Sequence, residues 1–210
     1  MDVLLSTSNE GKVNFIKVAT ANLKIRFHTP KELGLKLDVE ENGKTAVENA
    51  MIKARALSKL SGMLTFAWDM GMRIDGLPEI MQPNLHVRRP NGKEELSNAD
   101  MVEFWRHRVE QYCKNGESVA HYFDGVVLID GDNLIHSLSF NEDPFIFTAV
   151  KKQDGVAKFN AFDQVRKTLD GKYFCELTDE ETLRYDKKRA DSINHFFKDC
   201  LSKLNKQTYK

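Results

Sequence analysis

An α/β fold is predicted by three features of the sequence. Strand-like apolar runs alternate with helical periodicities in the first half, an alternating pattern with a central turn signal fills the second, and an amphipathic helix closes the chain. Val3-Leu4-Leu5 reads as a short buried strand, and Phe15, Ile16, Val18, Ala19 and Leu23 follow at helical spacing. Ile25 to Thr29 is the next strand, stopped by Pro30. A helix from Thr45 carries Val47, Ala50, Met51, Ala54, Leu57 and Leu60 on one face and ends at Ser61-Gly62. Leu64 to Trp68 is a strand leading to Asp69, with Met70-Gly71-Met72 as a turn and Arg73 to Leu77 continuing beyond it. Pro78, Pro83, Pro90 and Asn91-Gly92 make residues 78–98 a loop-rich connection. A helix is expected from about Ala99 to Lys114, then a hairpin of Val119–Ile129 and Leu134–Phe140 around Asp130-Gly131-Asp132-Asn133. Phe145 to Val150 adds a strand, and a last helix runs from the Thr178 cap to about Leu204, with Lys206 to Lys210 frayed.

The chain has 210 residues, enough to bury a core as one domain or two lobes. Lys+Arg and Asp+Glu both number 31, and a net charge of zero argues against a dedicated nucleic-acid binder, whose affinity rests on many phosphate contacts. No apolar run approaches the ~20 residues of a membrane span, and no basic-then-apolar leader opens the chain. Cys113, Cys175 and Cys200 are odd in number and widely spaced, so a reducing, cytoplasmic setting is expected rather than a disulfide framework.

Two polar constellations interrupt the first strands and helices. Ser6-Thr7-Ser8-Asn9-Glu10-Gly11-Lys12 joins a strand to a helix start, where backbone N–H groups, the helix dipole and a lysine suit phosphate. Glu40-Glu41-Asn42-Gly43-Lys44-Thr45, then Glu48-Asn49-Ala50 and Lys53-Ala54, sets carboxylates and an amide around the second helix start. Each has a plain structural alternative: Ser and Asn are common N-caps, and Thr45 with Glu48 is an ordinary capping box.

Taken together, Thr7-x-Asn9-x-x-Lys12 and Glu41-x-Gly43-x-Thr45-x-x-Glu48-Asn49-Ala50-x-x-Lys53-Ala54 resemble the inosine/xanthosine triphosphate pyrophosphatase family, over residues 1 to about 77 and again, more thinly, near the C-terminus. The resemblance implies an elongated, two-lobed mixed β-sheet flanked by helices with a central cleft, here one domain over 1–210 with its second lobe at about 78–160. It implies a Mg²⁺-dependent hydrolase (Mn²⁺ being the substitute metal) that converts non-standard purine triphosphates to monophosphate and pyrophosphate. It also implies a homodimer, while the charge balance and the lack of an apolar span point to no nucleic-acid and no membrane partner. The implied metal pair is Glu41 and Asp69, with Glu40 as the alternative to Glu41. Asp69 and Lys12 are the catalytic candidates. Thr7, Ser8, Asn9, Lys12, Glu48, Asn49 and Lys53 are assigned to substrate.

This chain departs from the family in several places. The family's Asp-Asp-Ser-Gly-Leu run is Trp68-Asp69-Met70-Gly71-Met72, so one carboxylate and the serine are gone. Its base-holding segment has Asn160-Ala161-Phe162-Asp163-Gln164 as counterpart, with Phe162 and Asp163 as base contacts, because Glu176-Leu177-Thr178 follows at the family's distance. Phe140 to Pro144 matches in letters but lies too far upstream. On the last helix the family's lysine is Thr182, and its Ser-His-Arg place holds Lys187, Lys188 and Arg189, which keep positive charge without the histidine. These losses leave two alternatives open: a catalytically degraded relative that binds nucleotide or a protein partner, and a hydrolase with a shifted nucleotide substrate.

Overall fold

The computed structural model describes residues 1–7, 9–36, 39–90, 92, 94–158 and 160–208. Among the described residues, seven strands and four α-helices occur in the order β1 (Asp2–Leu5), α1 (Glu10–Ala19), β2 (Arg26–His28), α2 (Ala46–Ser61), β3 (Thr65–Ile74), α3 (Asn98–Tyr112), β4 (Glu117–Asp130), β5 (Asn133–Asn141), β6 (Phe145–Thr148), β7 (Arg166–Lys167) and α4 (Asp179–Thr208). The chain divides into two compact units. One comprises Met1–Met70, Asp124–Phe140 and Lys188–Lys210, the other Gly71–Phe123 and Asn141–Lys187.

In the first unit the strand order is β2-β1-β3-β4, with β5 paired to β4 through the turn at Gly131. Strand β1 is parallel to both neighbours, pairing Val3 with Phe27 and Leu5 with Phe66. Successive side chains of a strand point to opposite faces, and here the alternation sorts two cores. Phe66 and Trp68 of β3 join Val3, Leu5, Val126, Leu128, Ile16, Ile193, Phe196 and Phe197 on the face covered by α1 and α4. Ala67 joins Val127, Ile129, Ala50 and Ala54 on the face covered by α2. That second interface is tight. A Cβ on Gly125 would lie 2.2 Å from the Val47 nitrogen, so only glycine lets α2 seat against β4.

In the second unit β3 and β4 are followed by β6 and β7, with β6 antiparallel to both β4 and β7. Helix α3 packs on β6, and the buried Trp105 donates its indole N–H to Val87 O at 2.8 Å.

Most expected elements are present, with three corrections. The turn expected at Met70-Gly71-Met72 does not form: β3 runs unbroken through Ile74. Gly71 is small because a Cβ there would stand 2.2 Å from the Phe123 ring and 2.6 Å from Asn84 O. Of the end expected to fray from Lys206 to Lys210, residues up to Thr208 belong to the last helix, and Tyr209 and Lys210 lie outside the described residues. Strand β7 was not anticipated, since two basic residues carry no strand pattern.

Candidate functional site

Asp69 sits within β3, on the face that α2 covers, rather than in a turn. Its carboxylate is held from two sides: Asn49 Nδ2 donates to Oδ2 at 3.1 Å, and Lys53 Nζ donates to Oδ1 at 2.8 Å. Lys53 Nζ also donates to Glu41 Oε2 at 3.0 Å, so one ammonium joins the two expected metal carboxylates. The side chains of Lys53 and Asp69 are only 15% and 14% exposed, which makes this pair costlier to break than a surface ion pair. Glu41, and not Glu40, is the residue Lys53 reaches.

The start of α2 explains why these groups meet. Thr45 caps the helix through a 3.1 Å bond from Glu48 N, and Glu48 Oε2 accepts from Lys44 N at 2.6 Å. Residues 49 and 53 are then four apart and share the helix face that meets β3. The buried Asn49 spends its oxygen on Gly43 N at 2.8 Å, which aims its amide N–H group at Asp69. Gly43 has no room for a side chain, because a Cβ would come within 2.7 Å of Asn49 Oδ1. Thus Asn49 and Gly43 orient Asp69, while the Glu48 carboxylate is engaged in the turn.

At the β1–α1 junction, Thr7 Oγ1 accepts from Asn9 N and Asn9 Oδ1 accepts from Lys12 N, both at 3.1 Å, so both side chains build the helix start. Ser8 lies outside the described residues. The Lys12 ammonium lies 4.9 Å from the centre of the Trp68 ring. Its pKa is pushed down to about 8, first by desolvation and then by Lys53, against the pull of Asp69, Asp124 and Glu41. Lys12 is thus within electrostatic reach of Asp69, Asp124 and Glu41.

Trp68, at the place where the family has its other carboxylate, is 5% exposed and belongs to the core. Its indole N–H donates to Asp124 Oδ1 of β4 at 2.7 Å. The Arg189 guanidinium lies over Phe15 at 4.3 Å and near the Trp68 ring at 5.8 Å. Asp124 was not anticipated from the sequence. Its signal in the chain is a carboxylate directly before the apolar run Gly125–Ile129 of β4, and it is buried to 1% exposure.

Phe162 and Asp163 lie in the second unit and are both buried. Phe162 packs edge-on against Phe147 at 5.2 Å. Asp163 Oδ2 accepts from Lys158 N and Asn160 N at 3.0 and 3.1 Å, and its Oδ1 accepts from Arg166. Arg166 in turn stacks on Phe174 at 3.8 Å. Both residues therefore support the 160–166 segment. Lys187 and Lys188 are exposed on α4.

Among the described residues, no group of three or more His, Cys, Asp and Glu gathers to hold a metal ion. The donor set present, Glu41 and Asp69, consists of hard carboxylate oxygens already sharing one cation. It fits a Mg²⁺-type ion, which keeps several waters and takes one or two carboxylates beside substrate phosphates. It does not fit a site that the protein closes on its own.

Fold and site define a class: a mixed-sheet α/β protein with a lysine-bridged carboxylate pair under its second helix and a lysine at the mouth of its first. Residues 3–190 match the model of the Ham1 family, and the chain belongs to that family. A dITP/XTP pyrophosphatase of Thermus thermophilus is 28% identical over 187 residues, covering 88% of this chain and 85% of that protein. One from Xanthomonas axonopodis pv. citri is 40% identical over 107 residues, 50% of this chain and 52% of its own. Among solved structures, the HAM1 protein of Coxiella burnetii and the Ham1 protein of Staphylococcus aureus each superpose over the whole of both chains with TM-score 0.70, at 21% and 20% identity. At those identities the likeness speaks for the fold.

Proposed function

We propose that this protein is a nucleoside triphosphate pyrophosphatase that hydrolyses non-standard purine triphosphates, inosine and xanthosine forms included, to monophosphate and pyrophosphate. The observation that carries this reading is the Lys53 ammonium bound to Glu41 and Asp69 together. Two carboxylates sharing one ammonium keep a net negative charge, which suits exchange of that ammonium for a divalent cation and leaves the ammonium to meet phosphate. The names of the Thermus and Xanthomonas relatives support the same reaction.

Each residue then has a part. Lys12 and Lys53 offset phosphate charge, and Asp69, fixed by the Asn49 amide, accepts a hydrogen bond from the attacking water. Glu41 and Asp69 would hold Mg²⁺, or Mn²⁺ in its place, which when bound supplies charge neutralisation on the phosphates. The engagement of Phe162 and Asp163 in packing and local hydrogen bonds favours a second reading, in which the base is read elsewhere and the preferred nucleotide is shifted.

A pyrophosphate-release screen over nucleoside triphosphates, with and without Mg²⁺, tests the proposal. We expect metal-dependent release with purine substrates, and its loss in Asp69→Asn, which keeps the size and removes the charge. Release that persists in that variant sinks the assignment of Asp69. Release from no triphosphate sinks the function.

A further inference from the structure

The face of β3 opposite Asp69 carries an arrangement that the reaction scheme above leaves unused. The Trp68 indole is clamped at its N–H by Asp124, 2.7 Å away, and is flanked by the Phe15 ring at a centroid distance of 5.8 Å. Onto these two rings come two cations, Lys12 from α1 and Arg189 from α4. From these contacts we propose that Trp68 and Asp124 form a positioning pair for Lys12: the buried carboxylate fixes the indole plane, and the indole face fixes the ammonium that meets the phosphates. The idea rests on the phosphate-binding role of Lys12 given above.

Three physical points support the pair. A lysine side chain has four rotatable bonds and loses rotamer freedom when held, so an ammonium meant for a polyphosphate gains from a preset position. The ring quadrupole attracts a cation over its face and replaces part of the hydration lost on burial, without spending hydrogen-bond donors that the phosphate needs. The Asp124 bond anchors one edge of the indole and so restricts how far the ring face can turn away from α1.

The role predicts a pattern that core packing alone does not give. Trp68→Phe keeps an aromatic face and Trp68→Leu removes it, so triphosphate KM is expected to rise modestly in Phe and about tenfold in Leu, with kcat within about threefold of the parent in both. Asp124→Asn keeps an oxygen for the indole N–H and is expected to stay within about twofold of the parent KM at pH 7, whereas Asp124→Ala should behave like Trp68→Leu. Pyrophosphate affinity by calorimetry, read beside melting temperature, separates folding from positioning. If the Leu and Ala variants do not fold, Trp68→Phe and Asp124→Asn decide on their own: a raised KM in Phe with a parent-like Asn variant supports the pair. Parent-like KM in both aromatic-loss and carboxylate-loss variants, with only lowered melting temperatures, overturns it. Lys12→Met is the arm that isolates the underlying reading. If that variant binds pyrophosphate like the parent, the phosphate role of Lys12 falls and the positioning role with it. If Lys12→Met loses affinity while Trp68→Leu does not, only the pair is refuted.

Discussion

Lys12 combines two costs that point in opposite directions for stability and for binding. Its pKa in the folded protein is about 8, below the ordinary 10.5, and desolvation is the largest cause. The unfolded chain therefore holds this proton more tightly between about pH 8 and 10.5. Charged Lys12 costs stability in full below about pH 8, and the cost fades as pH rises toward 10.5. Lys12→Met is accordingly expected to raise the melting temperature slightly at pH 7 while weakening pyrophosphate binding. The same titration removes the phosphate-seeking charge, so pyrophosphate affinity should fall as pH rises past 8 in the parent. An affinity that stays flat to pH 9.5 would show Lys12 titrating near its ordinary value. Trp68 is the other telling residue. A carboxylate restored by Trp68→Asp would be buried among apolar side chains and beside Asp124, so a loss of about 3 kcal/mol or more is expected, without a gain in turnover. Denaturant unfolding and metal-dependent turnover on that variant check both halves.

The start of α2 shows how far an element could be read from the chain. The helix, its Thr45 cap, its left-handed Gly62 terminus and the shared face of Asn49 and Lys53 all follow from local rules, because capping and helical spacing act over a few residues. The pairing of Glu41 with Asp69 was expected from the family resemblance and not from local rules, and the same resemblance assigned Lys53 to substrate, so the ammonium that joins the two carboxylates was not foreseen. Nor were Trp68 and Asp124 legible as a pair, since they lie 56 residues apart on neighbouring strands and no local signal pairs them. Gly71 misled in a related way. A glycine between two methionines reads as a turn, whereas its smallness answers to Phe123, distant in sequence. Gly43 makes the element testable. Gly43→Ala crowds Asn49 Oδ1 and Glu48 Cβ, each 2.7 Å from the new methyl, so the Asn49 amide must shift away from Asp69. A fall in kcat of tenfold or more is expected, in keeping with the cost of small misplacements at a reacting centre, with a melting temperature changed by only a few degrees. Unchanged kcat would mean that Asn49 does not orient Asp69.

For the molecule as a whole, the carboxylate pair and its lysine form a linkage between ligands and stability. Glu41, Lys53 and Asp69 come from the loop before α2, from α2 and from β3, so a ligand that binds the folded arrangement and not the unfolded chain must stabilise the first unit. At a hundredfold excess over its dissociation constant such a ligand contributes about 2.7 kcal/mol. For a chain of this size that corresponds to a rise of roughly 5 to 10 °C in melting temperature. The proposed function makes the shift conditional. Pyrophosphate alone meets Lys12 but leaves Lys53 tied to the carboxylates, and Mg²⁺ alone must displace that ammonium without giving it a new partner. Together, each ligand removes the obstacle to the other: the cation takes the carboxylates and the freed ammonium takes phosphate. The expected outcome is therefore a shift with Mg²⁺ and pyrophosphate together that exceeds the sum of the separate shifts, and that disappears in Asp69→Asn. Strictly additive shifts in a thermal-melt series would show that Lys53 does not change partners, and would detach the carboxylate pair from phosphate binding.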